Sequence, residues 1–292
     1  MASLKEIKVR IASIRNTQKI TSAMKMVSSA KLHHTQMLAE HTLLYAEKLS
    51  AILDGLLTTE CDWDSPFVTV REVKRVALVA FSSGSGLCGT FNANVWKEVS
   101  TRLHTFESKQ IAVRIFPVGK KIADELHKAG YTTENDFIHL GERPTYEEAV
   151  VLATRLMDQY ASGTFDRVEL LYHHFKNRAS QVLTARTYLP LSLQEVYPAA
   201  SPGPSVRTDY ILEPTAGDLL TLLLPKLLKL NIYTTLLDTA TAEHAARMMA
   251  MQTADDNAND LMQQLTLQYN KTRQQAITNE LLDIMGGSGQ KD

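Results

Sequence analysis

Gly84-Ser85-Gly86-Leu87-Cys88-Gly89 spells G-x-G-x-x-G. It follows the apolar run VALVAF at 76–81 and precedes a helical pattern, which is where a dinucleotide-binding turn belongs. Such a site also needs an acidic residue at the end of the second strand to hold the ribose hydroxyls. The second strand here, IAVRIFPVGKK from 111, ends without one, and the nearest acid by count, Glu107, precedes that strand. The turn therefore reads as a glycine-rich bend for close approach of strand and helix, and no cofactor is expected.

Other reactive side chains do not converge. His33-His34 and His173-His174 are adjacent pairs, whose side chains diverge on a helix or alternate faces on a strand, so neither is a ligand set. Cys61 and Cys88 match no metal-ligand spacing, and no base can be assigned to Cys88 as a nucleophile. A P-loop is missing, so the chain is not itself expected to hydrolyse ATP. No catalytic residue and no metal site is expected.

The elements that would position these residues divide the chain into helix, mixed α/β and helix. Its 292 residues, 44% of them hydrophobic, are enough for roughly two domains of about 150 residues. The 31 basic and 32 acidic residues nearly cancel, which gives no global pull toward nucleic acid. The N-terminus lacks the apolar core of a signal peptide, and LLTLLLPKLLKL at 219–230 is too short and too charged to span a bilayer.

Ser3-Leu4-Lys5-Glu6 is a capping box that opens a first helix at about Leu4. With no glycine before Gly55, that helix has room for roughly 50 residues, about 75 Å. In the middle, 76–81, 111–119 and 168–175 read as buried strands, with helical patterns at about 92–104, 119–129 and 145–161 between them. This alternation argues a mainly parallel, Rossmann-like sheet; a further strand at 181–191 follows without a helix and is expected to be antiparallel. A proline-rich linker covers 198–208, and a final strand and helix occupy 209–292, with Pro225 expected to kink the helix. The expected division is 1–58, 70–197, 198–208 and 209–292.

Both terminal helices carry weak heptads. The first seam runs Leu4, Ile7, Ile11, Ile14 and then Gln18, Thr21, Lys25, Ser28; apolar residues return at Leu38, His41, Tyr45, Leu49, Ile52 and Leu56. The last helix places His244, Met248, Met251, Asp255, Ala258, Met262, Leu265 and Tyr269 at alternating spacings of four and three. Residues 1–31 hold seven Lys or Arg against Glu6 alone, whereas Asp255, Asp256 and Asp260 cluster distally. Antiparallel pairing of the two termini uses both facts.

Taken together, LKEIKVRIASIRNTQKITSAMKMVSSAK at 4–31, GLCGTFNANV at 86–95 and the segment from AARMMAMQTADDNA to YNKTRQQAITNELLDI between 245 and 284 resemble the γ subunit of the F-type ATP synthase. The resemblance covers essentially the whole chain. It implies an antiparallel coiled-coil shaft turning inside a ring of three α and three β subunits, with the α/β domain beside the ε subunit and the c ring. It also implies a non-catalytic rotor of a bacterial enzyme, peripheral on the cytoplasmic side of the inner membrane, which the complex alone attaches to the bilayer. By the same resemblance, Met24 faces an acidic loop of β and Lys25 adds positive charge toward it. Arg247, Arg273, Gln274, Thr278 and Glu280 make polar contacts with the ring. The usual family turn reads roughly S-D-[KR]-G-L-C-G-G-F-N. Gly84, Ser85 and Thr90 depart from it and create the dinucleotide-like spelling. A coiled-coil adaptor with an α/β head is the main competing class, and a nicotinamide-dependent oxidoreductase the third.

Overall fold

The computed structural model describes residues 3–57, 65–191, 212–213 and 215–288. The linker expected at 198–208 and the start of the strand expected after 209 lie outside them. The chain forms two compact units, residues 1–29 with 247–292 and residues 30–246.

Helix α1 runs Leu4–Leu57. Its start is the expected capping box: the Ser3 amide donates to Glu6 Oε2 at 2.8 Å and the Glu6 amide to Ser3 Oγ at 3.2 Å. Helix α5 runs Ala216–Ser288 and continues on both sides of Pro225. Thr215 and Asp218 cap its start, the Asp218 amide donating to Thr215 Oγ1 at 3.2 Å.

In the second unit, β1 (Arg75–Phe81), β2 (Ala112–Val118), β3 (Arg167–Asn177) and β4 (Ser180–Leu189) lie in the order β2-β1-β3-β4. β1 is parallel to both neighbours and β4 is antiparallel to β3, as the missing crossover helix requires. Leu78, Ala80, Ile115 and Leu171 on one face pack with α2 (Phe91–Ser108) and α3 (Lys120–Lys128). Ala77, Val79, Phe81, Phe116 and Leu170 on the other pack with α4 (Tyr146–Ala161), Ala46 to Leu56 of α1, and Leu220 to Leu236 of α5. By length and composition α5 is apolar enough to cross a membrane. Its apolar run, including Leu224, Leu227, Leu228 and Ile232, is spent on this core instead.

The return of the α1 heptad corrects the sequence expectation. Leu38, His41, Tyr45 and Ile52 are exposed; Leu32, Thr35, Ala39, Thr42, Ala46, Leu49, Leu53 and Leu56 are buried or half-buried, with Gln36 and Ser50 flanking them. These continue the spacing that began at Leu4 without a break, so one register of three and four spans the helix. The conspicuous apolar residues were misleading because Thr and Ala occupy the true inner face. Thr35 and Thr42 make this tolerable by donating to carbonyls of their own helix, at 3.1 and 2.7 Å.

Two polar features hold the sheet's ends. Asp166, at the entrance to β3, accepts the Lys74 and Arg75 amides at 3.0 and 2.8 Å and pairs with the Arg75 guanidinium. Burial opposes the ionised carboxylate, but these donors outweigh it and hold the group below its ordinary value. At the other end the backbones of Gly119 and Gly141 approach closely, and Gly119 has φ +104°. A Cβ on Gly119 falls 2.2 Å from the Ser82 carbonyl oxygen.

Gly119→Ala is therefore expected to destabilise the second unit by about 3 kcal/mol or more, from left-handed strain plus a backbone clash; a denaturant midpoint within error of the parent sinks this account. His173 supplies a second test. It is buried against Phe91, ring centroids 4.1 Å apart, with Nδ1 unpartnered among the described residues, and burial lowers its pKa from 6.5 to about 4. The folded state therefore binds fewer protons than the unfolded one between those values. Stability is full above about pH 6.5 and falls by about 3 kcal/mol as pH drops toward 4. His173→Phe should flatten that part of the stability–pH curve relative to the parent.

Candidate interaction surface

The first unit is a two-helix coil built from the start of α1 and the end of α5. On α1 the inner positions are Leu4, Ile7, Ile11, Ile14, Gln18, Thr21, Lys25 and Ser28; none is exposed, and Ile7 and Ser28 are each 3% exposed. On α5 the positions from Met248 to Tyr269 anticipated by spacing are likewise buried or half-buried, and Thr272 and Ala276 extend the series.

Polar side chains set the alignment. Gln18 Nε2 donates to Asn259 Oδ1 at 2.7 Å, and Lys25 Nζ donates to Gln252 Oε1 at 2.7 Å. Between these contacts the chain advances seven residues on α1 and retreats seven on α5, so the helices are antiparallel. Gln252 in turn donates to Asp256 at 2.8 Å, which links Lys25 to the distal acidic cluster through an amide. Thr21 and Ser28 return their hydroxyls to Gln18 and Met24 carbonyls of their own helix.

In this register Leu4 lies level with Arg273, so the end of α5 extends past the start of its partner. From Ile277 onward every described side chain up to Met285 is exposed, including Leu281, Leu282, Ile284 and Met285 at 57, 61, 69 and 72%. Apolar side chains gathered on one exposed helical end mark an interaction surface. Arg273, Gln274, Thr278 and Glu280 are exposed along the same stretch, and Thr278 Oγ1 bonds to the Gln274 carbonyl at 2.9 Å.

The remaining expected residues are placed differently. Met24 is half-buried, while its neighbours Met26 and Val27 are 73% and 56% exposed. Lys25 is turned across the coil to Gln252. Arg247 is 8% exposed. The spacing showed that Gln18 and Lys25 are seam residues, but not their partners: Asn259 and Gln252 each sit one residue beyond a seam position.

The dinucleotide-like turn is filled by its own chain. The Ser83 amide donates to Asn92 Oδ1 at 3.1 Å and Asn92 Nδ2 to Cys88 Sγ at 3.1 Å. The Glu142 side chain lies over Gly84, its Cγ 2.2 Å from where a Cβ would stand. The acidic side chain thus packs against the first glycine of the turn. His173 and His174 point to opposite faces of β3, His174 pairing with Asp238 at 2.7 Å. Among the described residues no three His, Cys, Asp or Glu side chains gather as a metal site.

A two-helix coil with exposed apolar side chains at one end, joined in sequence to a Rossmann-like body, defines a coiled-coil protein with an α/β body. A family model described as ATP synthase matches residues 3–289. The ATP synthase gamma chain of Parabacteroides distasonis is 68% identical over 99% of both chains, and that of Phocaeicola vulgatus 51% identical over 99% of both. In fold, the chain is similar to one in the Euglena gracilis mitochondrial ATP synthase OSCP/F1/c-ring structure, with a TM-score of 0.65, 21% identity and coverage of 98% and 93%. It is also similar to one in the Tetrahymena thermophila central stalk/c-ring structure, with a TM-score of 0.57, 24% identity and coverage of 80% and 99%. The chain belongs to the γ-subunit family of the F-type ATP synthases.

Because the described side chains from Ile277 to Met285 are all exposed, removing residues 277–292 is expected to lower the stability of the isolated protein by less than about 1 kcal/mol, read from its thermal midpoint. A large loss would mean that this end packs within its own chain.

Proposed function

We propose that this chain is the central rotor shaft of a bacterial ATP synthase, coupling proton-driven rotation of a c ring to ATP synthesis or hydrolysis on β subunits. It is itself non-catalytic. The observation that carries this reading is the solvent-exposed run of Leu281, Leu282 and Ile284 near the end of α5, in a chain of this family. A sleeve formed by three α and three β subunits gives that end an apolar environment that its own chain does not.

The soft seam is consistent with the task. A shaft that passes three equivalent catalytic subunits gains nothing from binding one of them tightly, since each favourable contact becomes a barrier when rotation breaks it. An asymmetric two-helix coil in a threefold ring biases each catalytic site toward a different conformation. Arg273, Gln274, Thr278 and Glu280 are assigned to polar contacts with the upper ring. Met24, Lys25 and Arg247 act lower down, where Lys25 contributes through its Gln252-anchored charge. The second unit meets the ε subunit and the c ring, and the complex holds the chain at the cytoplasmic side of the inner membrane.

The test is the native mass of the assembly formed when the chain, tagged on its α/β body, is mixed with α and β subunits of the same organism. One copy per three α and three β is expected. Three copies, or none, overturn the reading in favour of an adaptor.

A further inference from the structure

We propose that a cavity in the second unit, between α1, the β3–β4 pair and α5, binds a small apolar amino acid as a zwitterion, its carboxylate on Arg186 and its ammonium on Glu40. The proposal goes beyond the rotor reading and does not depend on it.

The cavity measures about 400 Å³. That is room for roughly a dozen water-sized groups at about 30 Å³ each, within the range of sites that enclose small ligands. All of its lining residues, from Gln36 to Thr241, belong to the second unit. α1 lines it with Ala39 and Ala46 and α5 with Asn231, Thr234 and Thr235, side chains too short to fill the space between helix and sheet.

Three polar groups in this cavity have bonding capacity to spare. Asn231 is 5% exposed, and its side-chain amide has no hydrogen-bond partner among the described residues. A buried amide left unpaired costs about 1 to 3 kcal/mol, which a ligand that bonds to it recovers. Arg186, on the β4 wall, is half-buried and bonds to the Tyr172 hydroxyl, with no carboxylate in ion-pair contact among the described residues. Glu40, at the α1 rim, accepts from Gln36 Nε2 at 3.0 Å and meets no cation among the described residues. The other lining groups are already committed. Asp238 takes His174 Nδ1 at 2.7 Å and the Phe175 amide at 2.8 Å. The hydroxyls of Thr234, Thr235 and Thr241 donate to carbonyls of their own helix, at 3.0, 2.7 and 2.7 Å, and offer a ligand only lone pairs.

One unmatched cation and one unmatched anion on different walls select a ligand that carries both signs. A simple anion would answer Arg186 and leave Glu40 as it is; an amine would do the reverse. The rest of the lining, with Ala39, Leu43, Ala46 and the Phe175 ring, offers apolar surface for a side chain. The Asn231 amide, donor and acceptor at once, is compatible with either charged end.

The experiment is calorimetric titration of the full chain with L-phenylalanine, and with 3-phenylpropionate and phenethylamine, each of which keeps the ring and one of the two charges. One equivalent of L-phenylalanine should bind, at least about tenfold more tightly than either half-probe, as the loss of one charged hydrogen bond requires. Arg186→Met and Glu40→Gln should each weaken it about tenfold, the first sparing phenethylamine and the second sparing 3-phenylpropionate. Asn231→Leu, which removes the unpaired amide and fills the space beside it, should abolish binding while leaving the thermal midpoint of the free chain at or above that of the parent. Glu40 is exposed, so its variant keeps the charge test even if Arg186→Met does not fold. No saturation by about 10 mM, three probes of equal affinity, or binding that Glu40→Gln and Asn231→Leu both leave unchanged overturns the site.

Discussion

The repeat of three and four residues along α1 is the constraint on which the rest depends. One helix face has to serve two environments, a two-helix coil at its start and a packed α/β body at its end. A single stripe that never changes phase meets both requirements, because Leu49, Leu53 and Leu56 are in step with Ile7, Ile11 and Ile14. Any insertion of one or two residues between Ser28 and Ala46 would rotate one set away from its partners by one to two hundred degrees, at about 100° per residue. The polar middle of the stripe is therefore held in place by the apolar groups on either side of it.

Placing polar side chains in that stripe has a cost that the structure distributes. Hydroxyls at positions 21, 28, 35 and 42 are satisfied by carbonyls of their own helix and ask nothing of a partner. Gln18 and Lys25 are satisfied across the coil and so carry information about alignment. The body follows a different rule. There polar groups sit at the ends of strands, as with Asp166 and the Ser83–Asn92 bonds, and the buried ones inside β3 are Glu169, which accepts from Arg102, and His173, stacked on Phe91.

Much of this was legible from residue types alone. Short β-branched runs marked the strands, the missing crossover helix marked the antiparallel pair, and the first capping box marked the start of α1 to the residue. The seam of α5 was readable because Met, Leu and Tyr recur on it. The seam of α1 beyond Ser28 was not, since Thr and Ala are as common on exposed faces as on inner ones, and Leu38 and Tyr45 offered a more conspicuous but false continuation. Partners distant in sequence, Asn259 for Gln18 and Glu142 for Gly84, leave no local trace. The dinucleotide-like spelling was rejected for the lack of an acid on the second strand. In the structure a glutamate from beyond β2, Glu142, packs against Gly84 at the start of that turn.

The exposed end of α5 also has a consequence for the helix–coil balance. The exposed stretch from Ile277 propagates from the helix before it without a new nucleation step, so each of its residues is held by little more than the helical bond it adds. Ordering of that end is then thermodynamically linked to whatever encloses it. The backbone entropy lost there, about 1 to 2 kcal/mol per residue, is subtracted from the apolar gain of insertion. An apolar surface carried on such a stretch gains less from being enclosed than its area alone suggests, because fraying in the free chain is part of what enclosure has to offset.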